Sequence, residues 1–368
     1  MVSMLDCIRR VPQRMEWLLA HLEEMNACME QCFAGRDDRW NEIVLIGCGS
    51  SNTAALTARY PAQKVSGVRV TPVLPDEFLS EQAVRNPQAL YVFISQTGTS
   101  VLTRNALAEA RRLGYATVAV SESADTPAAR EADAFWDMGC GYEEYPMRTI
   151  GFSTSVLSLI MLGLWVGQRQ GLVSPDQKAV FLADVRKTAD QMLPLIDQTQ
   201  QWLEKERRQM MRSDCLVFTG AGALSGVAME GAVKMWETPQ TVTLSYELEE
   251  GLHGPNYGYT QRHCVLVLND GGRANQKARA LAAFMKKEKQ NGFLIGENPL
   301  DGHDLAFDCS SSLNCLLFAA VVQTMAYHLA VAQGRDLFAP HDNRVMYSYF
   351  DTHNEIGGKT VYSTEVAK

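Results

Sequence analysis

The sequence predicts an α/β protein with two tandem domains, each a parallel sheet flanked by helices, and an irregular C-terminal tail. Short β-rich apolar runs alternate with helical patterns, as in βαβ units. A strand followed by a glycine-rich turn occurs twice, as IVLIGCGSSNTAAL (43–56) and as CLVFTGAGALSGVAM (215–229). The next strand–helix step also recurs, since LYVFISQTG leads into RNALAEARR and VLVLNDGG leads into KARALAAFM. These repeats indicate a duplicated domain.

The first half opens with a helical pattern over residues 1–35. A buried helix is expected over Ser155–Val166, the longest apolar stretch. Between them we predict strands at Glu42–Gly47, Gly67–Leu74, Leu90–Ser95 and Ala116–Val120, and helices at Thr53–Tyr60 and Ser100–Leu113.

The second half follows a long polar helical stretch, which we interpret as a connection. Here the sequence predicts strands at Cys215–Thr219, Cys264–Leu268 and Phe293–Ile295, and helices at Val227–Glu237 and Gln276–Lys289. We therefore divide the chain into an N-terminal helical segment (1–35), a first domain (36–174), a helical connection (175–212), a second domain (213–337) and a tail (338–368).

The composition limits the class of partner. A net charge of -8 and a pI of about 5.5 argue against a nucleic-acid partner, because neutralising phosphates needs a basic face. Ser155–Val166 is shorter than the ~20 residues of a membrane span, and the N-terminus has no apolar signal region, so we expect a cytoplasmic protein without a membrane partner. The nine cysteines contain no CxxC pair, and even Cys28 and Cys32 lack a second pair, which favours reduced thiols and no metal site.

Three polar clusters follow predicted strands, where open parallel sheets bind ligands. They are 47–52 (GCGSSN), 95–100 (SQTGTS) and 220–225 (GAGALS). The second offers hydroxyls, an amide and a glycine at a helix start, a composition suited to an anion such as phosphate. The same residue types also serve in helix caps and turns. The GxG at 220–222 does not continue as GxGxxG, so we expect no nicotinamide cofactor, and no other cofactor is indicated.

Titratable residues fall on one helix and in two irregular segments. Glu230, Lys234 and Glu237 share a helix face, either as a solvated salt-bridge stripe or as a carboxylate base tuned by a lysine. His253 stands before Gly254-Pro255, in a loop of restricted shape, where it is either structural or an acid–base group. Lys359 follows two glycines near the C-terminus and on its own reads as a solvated charge.

These residues together resemble the SIS (sugar isomerase) family, which binds phosphosugars. The chain is most similar to the isomerase half of glutamine–fructose-6-phosphate aminotransferase and to stand-alone deaminases and deglycases. Cys48-Gly49-Ser50-Ser51 and the 95–100 cluster match the family's phosphate motifs, and Thr99 replaces the family's Glu. The resemblance implies a 6-phosphate held by Ser51, Ser95, Gln96, Thr97 and Ser100, with Gly49, Ser50 and Glu230 also contacting the substrate.

The resemblance also implies the catalytic residues. Glu237, in the matched pattern Glu230-Gly-Ala-Val-Lys234-Met-Trp-Glu237, corresponds to the base that moves a proton between C1 and C2, with Lys234 beside it. His253, in His-Gly-Pro, corresponds to the ring-opening residue that a neighbouring subunit often supplies, which implies a homodimer with a shared active site. Lys359 corresponds to the lysine that forms a Schiff base with the open-chain sugar.

The implied function is therefore chemistry at a phosphosugar C–N bond. The family's glutaminase half starts with a cysteine after the initiator Met, where this chain has Val2, so we expect removal of nitrogen instead of its donation from glutamine. Among the candidate functions, we favour a glucoselysine-6-phosphate-type deglycase. The alternatives are a glucosamine-6-phosphate deaminase, a phosphosugar isomerase, and a non-catalytic sugar-phosphate sensor.

Overall fold

The computed structural model describes residues 2–36, 39–338, 349–356 and 359–362; beyond residue 338 it describes side chains only for Tyr349, Thr352 and His353. The chain begins with a long helix, α1 (Met4–Cys32). Ser3 caps it in a reciprocal capping box with Asp6, and its buried face includes Ile8, Met15 and Leu22. The helical prediction for the N-terminal segment is thus observed.

The first sheet is parallel and five-stranded, in the order β2-β1-β3-β4-β5. Its strands are β1 (Glu42–Ile46), β2 (Arg69–Val73), β3 (Ala89–Ile94), β4 (Ala116–Ser121) and β5 (Ala134–Asp137). The helices between and after them are α2 (Ser50–Ser66), α3 (Pro75–Leu79), α4 (Val101–Arg112), α5 (Pro127–Glu131) and α6 (Ile150–Arg169).

The second sheet repeats that topology after a long helix, α7 (Pro175–Met211). Read from its other edge, its order β7-β6-β8-β9-β10 has the same connectivity as the first sheet. Its strands are β6 (Cys215–Gly220), β7 (Thr243–Glu247), β8 (His263–Asn269), β9 (Gly292–Gly296) and β10 (Leu305–Ala306), and its helices are α8 (Ala223–Glu237), α9 (Asn275–Phe284) and α10 (Asn314–Ala332). The predicted α/β fold with two parallel sheets is confirmed.

Three segments differ from expectation. The polar stretch that contains α7 is more than a connection, because it buries an apolar face that includes Phe181, Met192 and Trp202. In the tail that we expected to be irregular, β11 (Phe350–Ile356) and β12 (Lys359–Tyr362) pair as an antiparallel hairpin that packs on α4. The helix predicted over Gln276–Lys289 is α-helical to Phe284 and π-helical over Met285–Lys289.

Within the part of the chain that the structure describes, two helices, α6 and α10, are long and apolar enough to cross a membrane by length and composition. The apolar window of α6 is 100% buried inside the protein and that of α10 is 78% buried. Such burial is typical of core helices. The predicted buried helix at Ser155–Val166 is therefore observed, within a longer helix than the apolar run suggested.

Candidate active site

The two glycine-rich turns have nearly the same backbone. Gly49 precedes α2 with φ 58° and ψ -131°, and Gly222 precedes α8 with φ 61° and ψ -127°. A positive φ is accessible to glycine at little cost, so both turns can pass directly from strand to helix. The duplicated sequence pattern therefore corresponds to a duplicated turn.

The helices that start at these turns pack against each other. A Cβ added to Gly226 of α8 would lie 2.4 Å from Thr57 Oγ1 of α2, so the absence of a side chain permits this close approach. One turn nearer the start of α2 and one turn farther along α8, Thr53 Oγ1 donates to Glu230 Oε2 at 2.8 Å. This packing brings the start of α2 next to the charged residues of α8.

Lys234 lies at the centre of that junction. Its Nζ is 2.7 Å from Glu237 Oε2, 3.3 Å from Glu230 Oε1 and 3.3 Å from Ser50 Oγ. Lys234 and Glu230 are 1% and 0% exposed, whereas the Glu237 side chain is 36% exposed. The predicted set Ser50, Glu230, Lys234 and Glu237 is thus brought together, and of its charged members only Glu237 is accessible to a ligand.

Electrostatics reinforce this arrangement. Burial raises the pKa of Glu230, an effect that the Lys234 ammonium opposes. Burial alone would lower the pKa of Lys234, but the carboxylates of Glu230 and Glu237 outweigh it, so that the pKa is raised. The two carboxylates therefore favour the charged form of Lys234, and Glu237 is held against it.

A cavity of about 600 Å³ lies beside the junction, at the carboxyl ends of β1 and β3. Its wall contains all the residues that were predicted to hold a phosphate, together with Gly49; these are Ser51, Ser95, Gln96, Thr97 and Ser100. The structure therefore brings the phosphate-motif residues together around one space.

The loop between β3 and α4 is fixed in shape. A Cβ on Gly98, which has φ 65°, would lie 2.5 Å from the Thr126 Cβ, so only glycine fits there. The hydroxyls of Thr97 and Thr99 are 2.8 Å apart, and Thr103 Oγ1 donates to Ser100 Oγ at 3.1 Å. The hydroxyl groups are therefore pre-positioned before a ligand arrives.

Two groups that the sequence did not single out also line the cavity. Arg148 comes from the segment between β5 and α6, and His353 comes from the C-terminal hairpin. His353 Nδ1 lies 3.0 Å from the hydroxyl of Thr99, the residue that replaces the family's Glu. No periodic pattern surrounds either residue in the sequence, so only the folded chain reveals them.

Of the other two predicted residues, His253 stands apart from this cluster. The His253 side chain is 70% exposed and lies 3.2 Å from Glu249 Oε1, and no described contact joins it to Glu237 or to the cavity. Lys359 is the first residue of β12, and its side chain lies outside the described residues.

The comparisons with known proteins agree with this architecture. Residues 38–164 match the SIS domain model. The chain is 24% identical over 310 residues to an isomerizing glutamine–fructose-6-phosphate aminotransferase of Symbiobacterium thermophilum, covering 82% of this chain and 50% of that protein. It thus spans about half the length of such curated relatives.

Solved structures share the whole fold. A candidate phosphosugar isomerase of Clostridium difficile 630 superposes with a TM-score of 0.86 at 20% identity, covering 95% of this chain and 98% of the other. A glucosamine-6-phosphate deaminase of Thermotoga maritima superposes with a TM-score of 0.68 at 20% identity, covering 88% and 97%. The chain therefore carries an SIS domain at residues 38–164 and is homologous to the aminotransferases over the half of their length that it spans.

Proposed function

We propose that this protein cleaves the C–N bond of a 6-phosphorylated amino sugar or sugar–amino-acid adduct, of the glucoselysine-6-phosphate type. The observation that carries the proposal is the partly exposed Glu237, held 2.7 Å from a buried lysine beside a cavity walled by hydroxyl groups. A carboxylate in that position suits proton transfer on a substrate whose phosphate end occupies the cavity.

The reaction follows from an open-chain aldose with nitrogen on C2. Glu237 removes the C2 proton, and electron density moves into the C1 carbonyl to give an enolamine. The same carboxyl group returns the proton to C1, which leaves a C2 iminium. Water adds at C2 and the amine departs, so that a ketose 6-phosphate and a free amine form without oxidation or reduction. Proton transfer of this kind contributes ~10²–10⁴-fold to the rate.

The remaining predicted residues have roles that the family resemblance suggests. Lys359 exchanges with the departing amine as a Schiff base at C2. His253 assists ring opening from a second copy of the chain, since in one chain it is exposed and turned to Glu249. We therefore propose a homodimer with a shared active site.

The test is an assay of the purified protein with glucoselysine 6-phosphate, fructoselysine 6-phosphate and glucosamine 6-phosphate. Ketose phosphate and released amine are measured together, with Glu237→Gln as the inactive variant and exposed Glu288→Gln as the matched control. Turnover of glucoselysine 6-phosphate that disappears only in Glu237→Gln supports the proposal.

Three other results are possible: the first keeps C–N cleavage but replaces the glucoselysine-6-phosphate type of substrate, and the second and third contradict C–N cleavage. Ammonia released from glucosamine 6-phosphate alone identifies a deaminase. Interconversion of aldose and ketose phosphates without amine release identifies an isomerase. Binding of all three compounds without turnover identifies a sensor.

A further inference from the structure

Arg148 is a cation on the wall of the candidate phosphate cavity. It is partly buried, and its Nη1 donates to the backbone carbonyl of Glu143 at 2.8 Å. Within residues 2–36 and 39–338, no carboxylate lies within ion-pair distance of its guanidinium. A half-buried arginine without a counter-charge requires an anion from another source.

The segment that carries Arg148 is fixed by its own hydrogen bonds. The buried carboxylate of Glu143 accepts from the Thr149 backbone at 2.7 Å, the Thr149 hydroxyl at 2.9 Å, and the Ile150 and Gly151 backbones at 3.0 Å each. That carboxylate is therefore committed to the first turn of α6. Arg148 is left to face the cavity from a rigid loop.

The phosphate-motif residues of the same cavity supply uncharged hydrogen-bonding groups. Ser51, Ser95, Thr97 and Ser100 supply hydroxyl groups, and Gln96 Nε2 is buried without a hydrogen-bond partner among the described residues. An amide donor without a partner and an arginine without a counter-ion at one cavity both favour an oxyanion that accepts several hydrogen bonds.

We propose that Arg148 is a specificity-determining residue that binds the terminal phosphate of the substrate through its guanidinium. This rests on the proposed function only in requiring a phosphosugar. Arg148 lines the same cavity as Ser95 and Ser100, whereas Lys234 contacts Ser50, whose chain neighbours Gly49 and Ser51 line that cavity. The arginine therefore binds the phosphate group of the ligand and not the carboxylate of a departing amino acid.

The test measures equilibrium binding by calorimetry, which does not depend on turnover. The ligands are inorganic phosphate, glucosamine 6-phosphate and glucoselysine 6-phosphate. The variants are Arg148→Met, Arg148→Lys and the exposed control Arg130→Gln. Arg148→Met is expected to weaken all three ligands by about 10- to 100-fold, and Arg148→Lys by less, since lysine keeps the charge but not the paired donors.

Two outcomes overturn the proposal. Unchanged affinity of folded Arg148→Met for inorganic phosphate and glucosamine 6-phosphate excludes a phosphate contact. A loss confined to glucoselysine 6-phosphate assigns the arginine to the amino-acid part instead. If the protein binds these ligands but turns none over, the proposed function fails while the Arg148 proposal is still tested.

Discussion

The ammonium of Lys234 lies 2.7 Å from the carboxylate of Glu237, and the two groups differ sharply in exposure, at 1% and 36%. The lysine is thus buried in the protein interior, and the glutamate is the member of this ion pair that solvent or a ligand can reach. Glu230, fully buried behind it, completes the triad at 3.3 Å. The stability of the junction and the orientation of the candidate base therefore depend on one side chain.

Lys234→Met is expected to lower the free energy of unfolding by about 3–5 kcal/mol, because it leaves the Glu230 carboxylate buried without its cation. Urea denaturation measures this. Lys178→Met, at a surface ion pair with Glu23, is the control and is expected to cost at most ~1 kcal/mol. Adding Glu230→Gln to Lys234→Met should recover much of the loss; a single variant as stable as the wild type would contradict the argument.

Gly151→Ala is expected to weaken phosphosugar binding by about tenfold or more without unfolding the protein. A Cβ at Gly151 would lie 1.9 Å from Gln96 Oε1, so the Gln96 side chain must move within the cavity. Alanine otherwise favours a helix over glycine by ~1 kcal/mol, so stability should not fall in parallel. Calorimetric titration with glucosamine 6-phosphate measures the effect. Gly302→Ala, where an added Cβ meets nothing within 4 Å, should bind normally.

Thr99 and His353 are expected to be energetically coupled. Their 3.0 Å contact joins the loop between β3 and α4, which lines the cavity, to the C-terminal hairpin. In a double-mutant cycle with Thr99→Ala and His353→Ala, the coupling in ligand binding should be about 0.5–1.5 kcal/mol. Strictly additive effects would mean that the hairpin does not act through this contact.

Tyr259→Phe is expected to reduce the loss of stability at alkaline pH. Burial raises the pKa of Tyr259 from 10.0 to about 12, so between these values the folded state keeps a proton that the unfolded chain releases. The free energy of unfolding therefore falls as pH rises through this window, by about 2–3 kcal/mol for this residue.

Urea unfolding at pH 9 and pH 12 measures the slope for Tyr259→Phe against Tyr257→Phe. Tyr257 is 91% exposed and serves as the matched control. At neutral pH the Tyr259 variant should be as stable as the wild type, since the buried hydroxyl has no partner among the described residues. If the free energy of unfolding fell equally with pH in the two variants, Tyr259 would not be the source of the alkaline loss of stability.

The repeated strand–turn–helix units were predictable because the pattern depends on neighbouring residues. The gathering of the hydroxyl-rich loops around one cavity was predictable for the same reason, since Ser95 and Ser100 belong to one loop. By contrast, α10 has no polar face, and the short edge strands β5 and β10 carry too few residues for a recognisable period. Helices buried on all sides and short strands leave little periodic signal.

The relations between distant segments could not be read from the sequence. That Glu230 is buried against Thr53, and is not part of a solvated stripe, depends on how α2 meets α8. Arg148 was overlooked because its segment has neither a period nor a motif. If His253 belongs to an active site, it does so through contacts between two chains, and such contacts leave no recognisable pattern in a single sequence.

The matching turns at Gly49 and Gly222 contribute different parts of the candidate site, one from each domain. The first copy opens onto the cavity, while the second starts the helix that carries Lys234 and Glu237, of which Lys234 contacts Ser50 in the first turn of α2. Neither domain contains both the hydroxyl-lined cavity and the candidate base. Two fragments separated within the loop before α7 should each be inert, and activity should return only when they reassemble, as expected of a duplication whose copies have become mutually dependent.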